Sequence, residues 1–385
     1  MGIKGLTQVI SEHAPGSIKT INFEDNSGRK VAVDASICVY QLLYSVRSPD
    51  GTQMQTQNGE ITSHLIGIFH RTIRLISNGI KPVYVFDGKP PDMKMGELVK
   101  RSERRAADFE RALSRAIERG EVDTFEKNIV QVTREHFDEV KKLLTLMGVP
   151  IVEAPSEAEA QCAELVKGGK VHASVTEDMD ALAFGSNILL RNIFGNETRK
   201  FNVKEFNLKR VLDEMKLTMN QFIDFCILLG CDYCGSIRGI GPKKAFELIK
   251  QFQSIEVILE NIDTERYIPP ENWPYAQARE LLMSPDVISA EQVQLQWKNP
   301  DIEGVVEFMC KEKNFDESRV RFSLAKLKKF KVNGVQLRID SFFKVTRIIQ
   351  SEPTAATRKR KLQEEQKKKR SIKMKPSSAT STTTK

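Results

Sequence analysis

Seven carboxylates stand where a folded chain could gather them: Asp34, Asp87, Glu157, Glu159, Asp178, Asp180 and Asp232. Asp34 follows the apolar run Lys30-Val31-Ala32-Val33, and Asp87 follows Pro82-Val83-Tyr84-Val85-Phe86. Asp178 and Asp180 come just after Ala173-Ser174-Val175. Such runs read as buried parallel strands, whose C-terminal ends line one edge of a sheet where ligands bind. Glu157 and Glu159 mark a helix start in Ala154-Pro155-Ser156-Glu157-Ala158-Glu159, and Asp232 follows the glycine that closes the apolar stretch Phe222 to Leu229. Each acid alone has an ordinary reading: a turn residue after a strand, or, for Ser156 and Glu159, the N-cap and N3 of a capping box. As a set they repel, by about 4 kcal/mol per pair at 4 Å and an effective dielectric of 20. Protons or cations must neutralise them. An all-oxygen set with no histidine nearby in sequence suits Mg²⁺ or Mn²⁺. Seven acids exceed the need of one octahedral ion, and two ions roughly 3.5–4 Å apart form the arrangement that hydrolyses phosphodiesters.

Basic residues complement that chemistry. Lys94, Arg101 and Arg105 are spaced 7 and 4 apart on one long, charged helical stretch from Lys94 to Arg119, so they share a face. Alone they read as a solvated face with Glu97–Arg101 pairing; beside two metal ions they could hold a phosphate. The apolar stripe of that stretch (Leu98, Ala106, Phe109, Leu113, Ile117) is thin, which predicts a helix projecting from the body. A second phosphate site is expected at Gly235-Ser236-Ile237-Arg238-Gly239-Ile240-Gly241-Pro242-Lys243-Lys244. There Gly239 and Gly241 permit a tight turn and Pro242 starts a helix with its backbone N–H groups facing outward. This is a helix–hairpin–helix signature, a duplex grip without base readout, to which Lys243 and Lys244 add charge. Carbonyls near Ser236, Ile237 and Ile240 could bind a monovalent cation.

The elements that must position these groups are strands at 30–33, 82–86, 150–152, 173–175 and 188–190, with helical patterns near 36–47, 62–78 and 134–147. The chain becomes mostly helical after about 218. Alternation of short apolar runs with helices predicts an α/β body with a mostly parallel central sheet. The 385 residues carry 59 Lys/Arg against 51 Asp/Glu, a net +8. From Pro353 to Lys385 alone there are 11 basic and 2 acidic residues, leaving the first 352 at net −1. The excess charge thus belongs to a Ser/Thr-rich tail that reads as disordered, and Arg358-Lys359-Arg360-Lys361 and Lys367-Lys368-Lys369-Arg370 resemble a nuclear import signal. No run approaches the roughly 18 apolar residues of a membrane span, and an apolar signal region is absent from the first residues, so membrane and secreted classes are not expected. The six cysteines read as reduced thiols. Only Cys231-Asp232-Tyr233-Cys234 has metal-like spacing, and it lacks the second pair a structural zinc site requires. Gln336, Ile339, Phe342 and Phe343 sit at offsets 0, 3, 6 and 7, so one helical turn would present an apolar face to a partner's pocket.

The chain resembles the flap endonuclease family of the XPG/structure-specific 5′ nuclease superfamily. The resemblance rests on Met1-Gly2-Ile3-Lys4-Gly5-Leu6, Val85-Phe86-Asp87-Gly88-Lys89-Pro90-Pro91, Ala154 to Ala160, Thr176-Glu177-Asp178-Met179-Asp180 and Leu229-Gly230-Cys231-Asp232-Tyr233, and runs to Phe343. It implies a PIN-like nuclease core with a helical arch, through which a single-stranded 5′ flap passes. Asp34, Asp87, Glu157 and Glu159 would serve one Mg²⁺ (or Mn²⁺), and Asp178, Asp180 and Asp232 the other. Lys94 and Arg101 would contact the scissile phosphate, and Tyr40 would stack on a base beside the cut. Arg47, Arg71 and Gly230 match DNA-contacting positions, K⁺ would sit at the hairpin loop, and the region near Thr62 and Lys313 to Arg319 would hold a one-nucleotide 3′ flap. Gln336 to Phe343 would bind the trimeric sliding clamp, PCNA, the chain itself being a monomer. The chain departs from the family's pattern at Gln55 to Glu60, which carries one acid where a cluster is usual. Cys231 stands for a small hydroxyl residue, and Gly235 for an acid.

These readings divide the chain into 1–107 and 108–121 (nuclease region and arch), 122–255 (nuclease region with the hairpin motif), 256–333 (helical), 334–346 (clamp motif) and 347–385 (tail). The implied activity is two-metal cleavage at the base of 5′ flaps, with 5′–3′ exonuclease action, in Okazaki-fragment maturation and long-patch base excision repair. The implied location is the nucleus and nucleolus, with a mitochondrial pool. The alternatives are a non-catalytic clamp-bound scaffold gripping branched DNA, and a ribonuclease of related fold.

Overall fold

Alternation within the apolar runs decides how the sheet packs. Val31, Val33, Tyr84 and Phe86 join one buried cluster, while Ala32, Val83 and Val85, interleaved with them, join another on the opposite face. A strand buried on both faces in this way belongs inside a sheet covered by helices on each side. The computed structural model describes residues 2–46, 54–56, 59–119, 132–195 and 203–332. Arg47, the clamp motif at Gln336, Ile339, Phe342 and Phe343, and the basic tail lie outside them.

Among the described residues the sheet has seven strands: β1 (Ile18–Ile21), β2 (Lys30–Asp34), β3 (Lys81–Phe86), β4 (Ile151–Glu153), β5 (Ala173–Val175), β6 (Ile188–Arg191) and β7 (Val203–Asn207). Their order is β1-β7-β6-β5-β2-β3-β4. The five strands from β6 to β4 run parallel, and β7 and β1 add an antiparallel edge. β2 has β3 on one side and β5 on the other, so strand order reverses at β2 and the crevice at its C-terminal end is the natural ligand site. The mostly parallel α/β architecture expected from the sequence is thus observed. β1 and β7 are additions to it, because Ile18-Lys19-Thr20-Ile21 and Val203-Lys204-Glu205-Phe206 are too short and too polar to stand out.

The helix Met95–Arg119 leaves nearly all its residues exposed, as its thin stripe predicts. Lys94 is not on it but in the preceding 3₁₀ turn Asp92–Lys94. The sequence division at 107/108 falls inside this helix, and that at 255/256 inside Ile255–Asn261, so both separate motif blocks rather than folding units. A second large core gathers Leu6, Ile10, Phe206, Phe222, Phe225 and Leu248, seating the helices Met219–Leu229 and Pro242–Phe252 against the sheet's antiparallel side.

Candidate active site

The acids are fixed by strand ends and helix ends. Asp34 ends β2 and caps the helix Ala35–Ser45: its Oδ1 accepts from Ile37 N at 3.0 Å, and its Oδ2 accepts from Thr176 Oγ1 at 3.0 Å. Asp87, directly after β3, accepts at Oδ1 from Ala158 N, 2.7 Å away. That contact corrects the expected capping box. The helix Ala158–Lys167 has Glu157, not Ser156, at its N-cap, with no side-chain cap of its own; a carboxylate from a neighbouring strand satisfies its first N–H instead. Gly88 N and Lys89 N donate to the carbonyls of Ser156 and Pro155, which locks the Asp87 loop to the one carrying Glu157 and Glu159.

After β5, Asp178 N donates to Thr176 Oγ1 at 3.1 Å and Asp180 N donates to Asp178 Oδ1 at 3.0 Å. Ile3 N donates to Asp180 Oδ1 from the start of the chain, 2.9 Å away. Gly2, at φ +78°, lies so close that a Cβ there would overlap the carboxylates of both Asp178 and Asp180. These backbone donors aim the acids before anything binds.

Five of the seven acids (Asp87, Glu157, Glu159, Asp178 and Asp232) line one cleft of about 640 Å³, together with Tyr40, Lys94, Arg101 and Arg105. Asp34 and Asp180 are not in its lining but buried, 3% and 4% exposed. Burial, then the charge of Asp87, pushes the Asp34 carboxyl up to about 8. Burial followed by Asp34 and Asp87 raises Glu159, and burial followed by Asp178 and Asp232 raises Asp180. The acids therefore feel one another across strand ends, as about 4.8 Å spacing between neighbouring strands requires.

Two cations answer that charge. Lys94 Nζ contacts Glu157 Oε1 and lies 3.4 Å from Asp232 Oδ2; Arg101 Nη2 lies 2.5 Å from Asp232 Oδ1. Burial works against the Lys94 ammonium, but Glu159, Glu157 and Asp232 outweigh it and hold the group more firmly protonated. Among the described residues no three His, Cys, Asp or Glu side chains form a ready ion-holding group. The seven acids converge without closing into the two-ion cage that their number suggests, and Lys94 and Arg101 sit among them.

The donor chemistry nonetheless fits hard divalent cations, since carboxylate oxygens whose ionisation is costly gain most from a bound positive charge. Tyr233, overlooked in the sequence, donates its hydroxyl to Glu157 Oε2. The contacts of Thr176 and Gly2, both within motifs quoted above, likewise come from the fold alone.

Other expected residues divide. Tyr40, 38% exposed, borders the cleft, its ring 6.1 Å from that of Phe137. Arg71 lies elsewhere: its Nη1 donates to Cys38 Sγ and Gln41 Oε1, and its guanidinium covers the Phe194 ring at 4.6 Å. Gly230 (φ +98°) turns the chain into Asp232, and Gly239 (φ +90°) makes the expected hairpin turn, bridged by Arg238 N to Ile268 O at 2.9 Å. Gly241 differs: at φ −96° it takes an ordinary conformation as N-cap of Pro242–Phe252, with open space where a Cβ would stand. Lys243 is exposed, and Lys244 pairs with Glu247 at 3.4 Å. Lys313 Nζ reaches Glu139 and Glu60, which brings the 60–64 segment and the region after 312 together.

Residues 1–108 match the XPG N-terminal domain model, and 148–232 the XPG I-region model. The chain is 59% identical over 368 residues to Flap endonuclease 1 of Caenorhabditis briggsae, covering 95% of each. Among solved structures, flap endonuclease-1 from Methanococcus jannaschii is 31% identical with a TM-score of 0.65, over 84% of this chain and 98% of that one. The catalytic core of Rad2 in complex with DNA substrate is 27% identical with a TM-score of 0.66, over 83% and 98%.

Proposed function

We propose, on the premise that this chain belongs to the XPG family of flap endonucleases, the following roles for its residues. The protein is a structure-specific DNA endonuclease of 5′ flaps that depends on divalent metal. The observation that carries the site assignment is the convergence of acids from the ends of β2, β3 and β5 and from the Ala158–Lys167 helix, with Lys94 and Arg101 set over them.

Asp34, Asp87, Glu157 and Glu159 hold one Mg²⁺ and Asp178, Asp180 and Asp232 the other, with Mn²⁺ an acceptable substitute. When bound, such ions supply an ionised water for attack on the phosphodiester and stabilise charge on the leaving oxygen. The chain's own residues do the rest. Thr176, Ala158 N and Ile3 N keep the carboxylates aimed. Lys94 and Arg101 turn from Glu157 and Asp232 toward the scissile phosphate and stabilise its developing charge. Tyr40 stacks on the base beside the cut. The Gly239–Gly241 loop with Lys243 and Lys244 grips duplex phosphates, and K⁺ binds the loop's carbonyls near Ser236, Ile237 and Ile240. Arg47, Arg71 and Gly230 add DNA contacts, and the Thr62 and Lys313 to Arg319 region receives a one-nucleotide 3′ flap.

Gln336, Ile339, Phe342 and Phe343 dock the PCNA clamp, placing a monomer on each site of the trimer. The setting is nuclear and nucleolar, with a mitochondrial pool, in Okazaki-fragment maturation and long-patch base excision repair; exonuclease action at 5′ ends accompanies flap cleavage.

Incubation with a double-flap DNA, with and without Mg²⁺, tests the core of this reading. A cut at the flap base that needs Mg²⁺ is expected. Binding without any cut would instead make the chain a scaffold, and cleavage of plain single-stranded RNA would make it a ribonuclease.

A further inference from the structure

Cys231 and Cys234 flank the cleft acid Asp232 and the buried Tyr233, and both thiols are free and half-buried. Their sulfurs lie 3.7 Å apart. A disulfide needs about 2.05 Å, so closure asks for less than about 2 Å of movement shared between two side chains. Cys38, Cys162 and Cys226 are buried, which leaves this pair and the solitary Cys310 as the thiols within reach of solvent.

We propose that Cys231 and Cys234 are an oxidative modification site, closed to a disulfide by peroxide-class two-electron oxidants. One thiol loses its proton and attacks the peroxide as thiolate; the O–O bond breaks, the sulfur keeps one OH as sulfenic acid, and the departing hydroxide takes up that proton as one water. The second thiol then attacks that sulfur, its proton leaving with the hydroxide as a second water. Two electrons pass from the sulfurs to the peroxide, and a thiol reductant reverses the bond.

The bond tightens the four-residue segment between the sulfurs. Within it, Asp232 lies 2.5 Å from Arg101 and 3.4 Å from Lys94, and Tyr233 donates to Glu157. Drawing the ends together re-aims both side chains, so the oxidised protein cuts more slowly. The bond stands on geometry alone, while its effect on cleavage rests on the proposed function. A second reporter is independent of catalysis: Trp273 Nε1 donates to the carbonyl of Gly235, next to Cys234, at 2.6 Å.

The full chain, first reduced, is treated with graded hydrogen peroxide and followed by peptide mass, tryptophan fluorescence and flap cleavage. The 231–234 peptide is expected to lose about 2 Da, the fluorescence to shift, and cleavage to fall about tenfold, all reversed by a thiol reductant. Cys231→Ser, nearly isosteric, keeps the reduced-state rate and loses all three responses. Oxidation of Cys231 to a sulfinic acid without linkage overturns the proposal. So does a linkage that changes neither fluorescence nor cleavage, or a Cys231→Ser protein that peroxide still slows. Failure of the reduced protein to cut flap DNA would count against the proposed function instead, with mass and fluorescence still deciding this one.

Discussion

The acid cleft and the 235–241 loop lie next to each other along the chain, with Asp232 only three residues before Gly235, yet they use opposite physics. The cleft concentrates charge where water is scarce: Asp34 and Asp180 are buried, and their ionisation is costly enough that burial and neighbouring acids raise both. That cost is relieved by protons or by cations. The loop carries no carboxylate and offers open space, with Gly239 at φ +90° and nothing within 4 Å of an added Cβ at Gly241. It costs little in electrostatics, and in the role proposed for it a phosphate is gripped without discriminating bases. Damage to the cleft should therefore appear in rate, and damage to the loop in affinity.

The sharpest test is Asp180→Ala. Cleavage should fall by about a thousandfold or more while flap binding persists, because the acid acts on the reaction and not on the grip. A parallel loss of binding, measured by fluorescence anisotropy, would erase the contrast. Lys94→Ala comes next, with about a hundredfold loss in single-turnover rate and binding changed by less than about threefold.

On the loop side, Gly239→Ala should destabilise the fold by about 1–2 kcal/mol, since its φ suits only glycine, and lower duplex affinity with it. Gly241→Ala, which meets no positive-φ strain and only weakens an N-cap, should lower the melting temperature less than Gly239→Ala while weakening duplex binding, so the pair separates backbone strain from phosphate access. The smallest effect belongs to Lys243→Ala, which should weaken binding uniformly across sequences and reduce the salt slope by about 1.

Much of this site can be read before folding. Asp34 and Asp87 follow runs whose apolar residues are continuous, and continuity marks a strand buried on both faces; the run before Asp178 and Asp180 is shorter and holds Ser174. What escapes is whatever depends on contacts distant in sequence. β1 and β7 pair antiparallel at the sheet's end, where polar residues break the apolar signal. Ser156 looks like an N-cap because Glu159 follows at the right distance, but Asp87, 71 residues before Ala158, takes over that hydrogen bond. Tyr233 and Gly2 carry no local signature of their contacts, since their partners Glu157, Asp178 and Asp180 lie far away in sequence. Arg71 shows the same limit from the other side: its contacts with Cys38, Gln41 and Phe194 join residues far apart in sequence, and nothing local announces them.

The seating of the first residues has a practical side. Ile3 is tied to Asp180, and Gly2 leaves no room for even a methyl group beside the acids. Residues added ahead of Gly2 by an affinity tag or cleavage scar would join the chain right beside Asp178 and Asp180. Recombinant protein meant for kinetics is better purified through an extension at the other terminus, or with the leading tag removed.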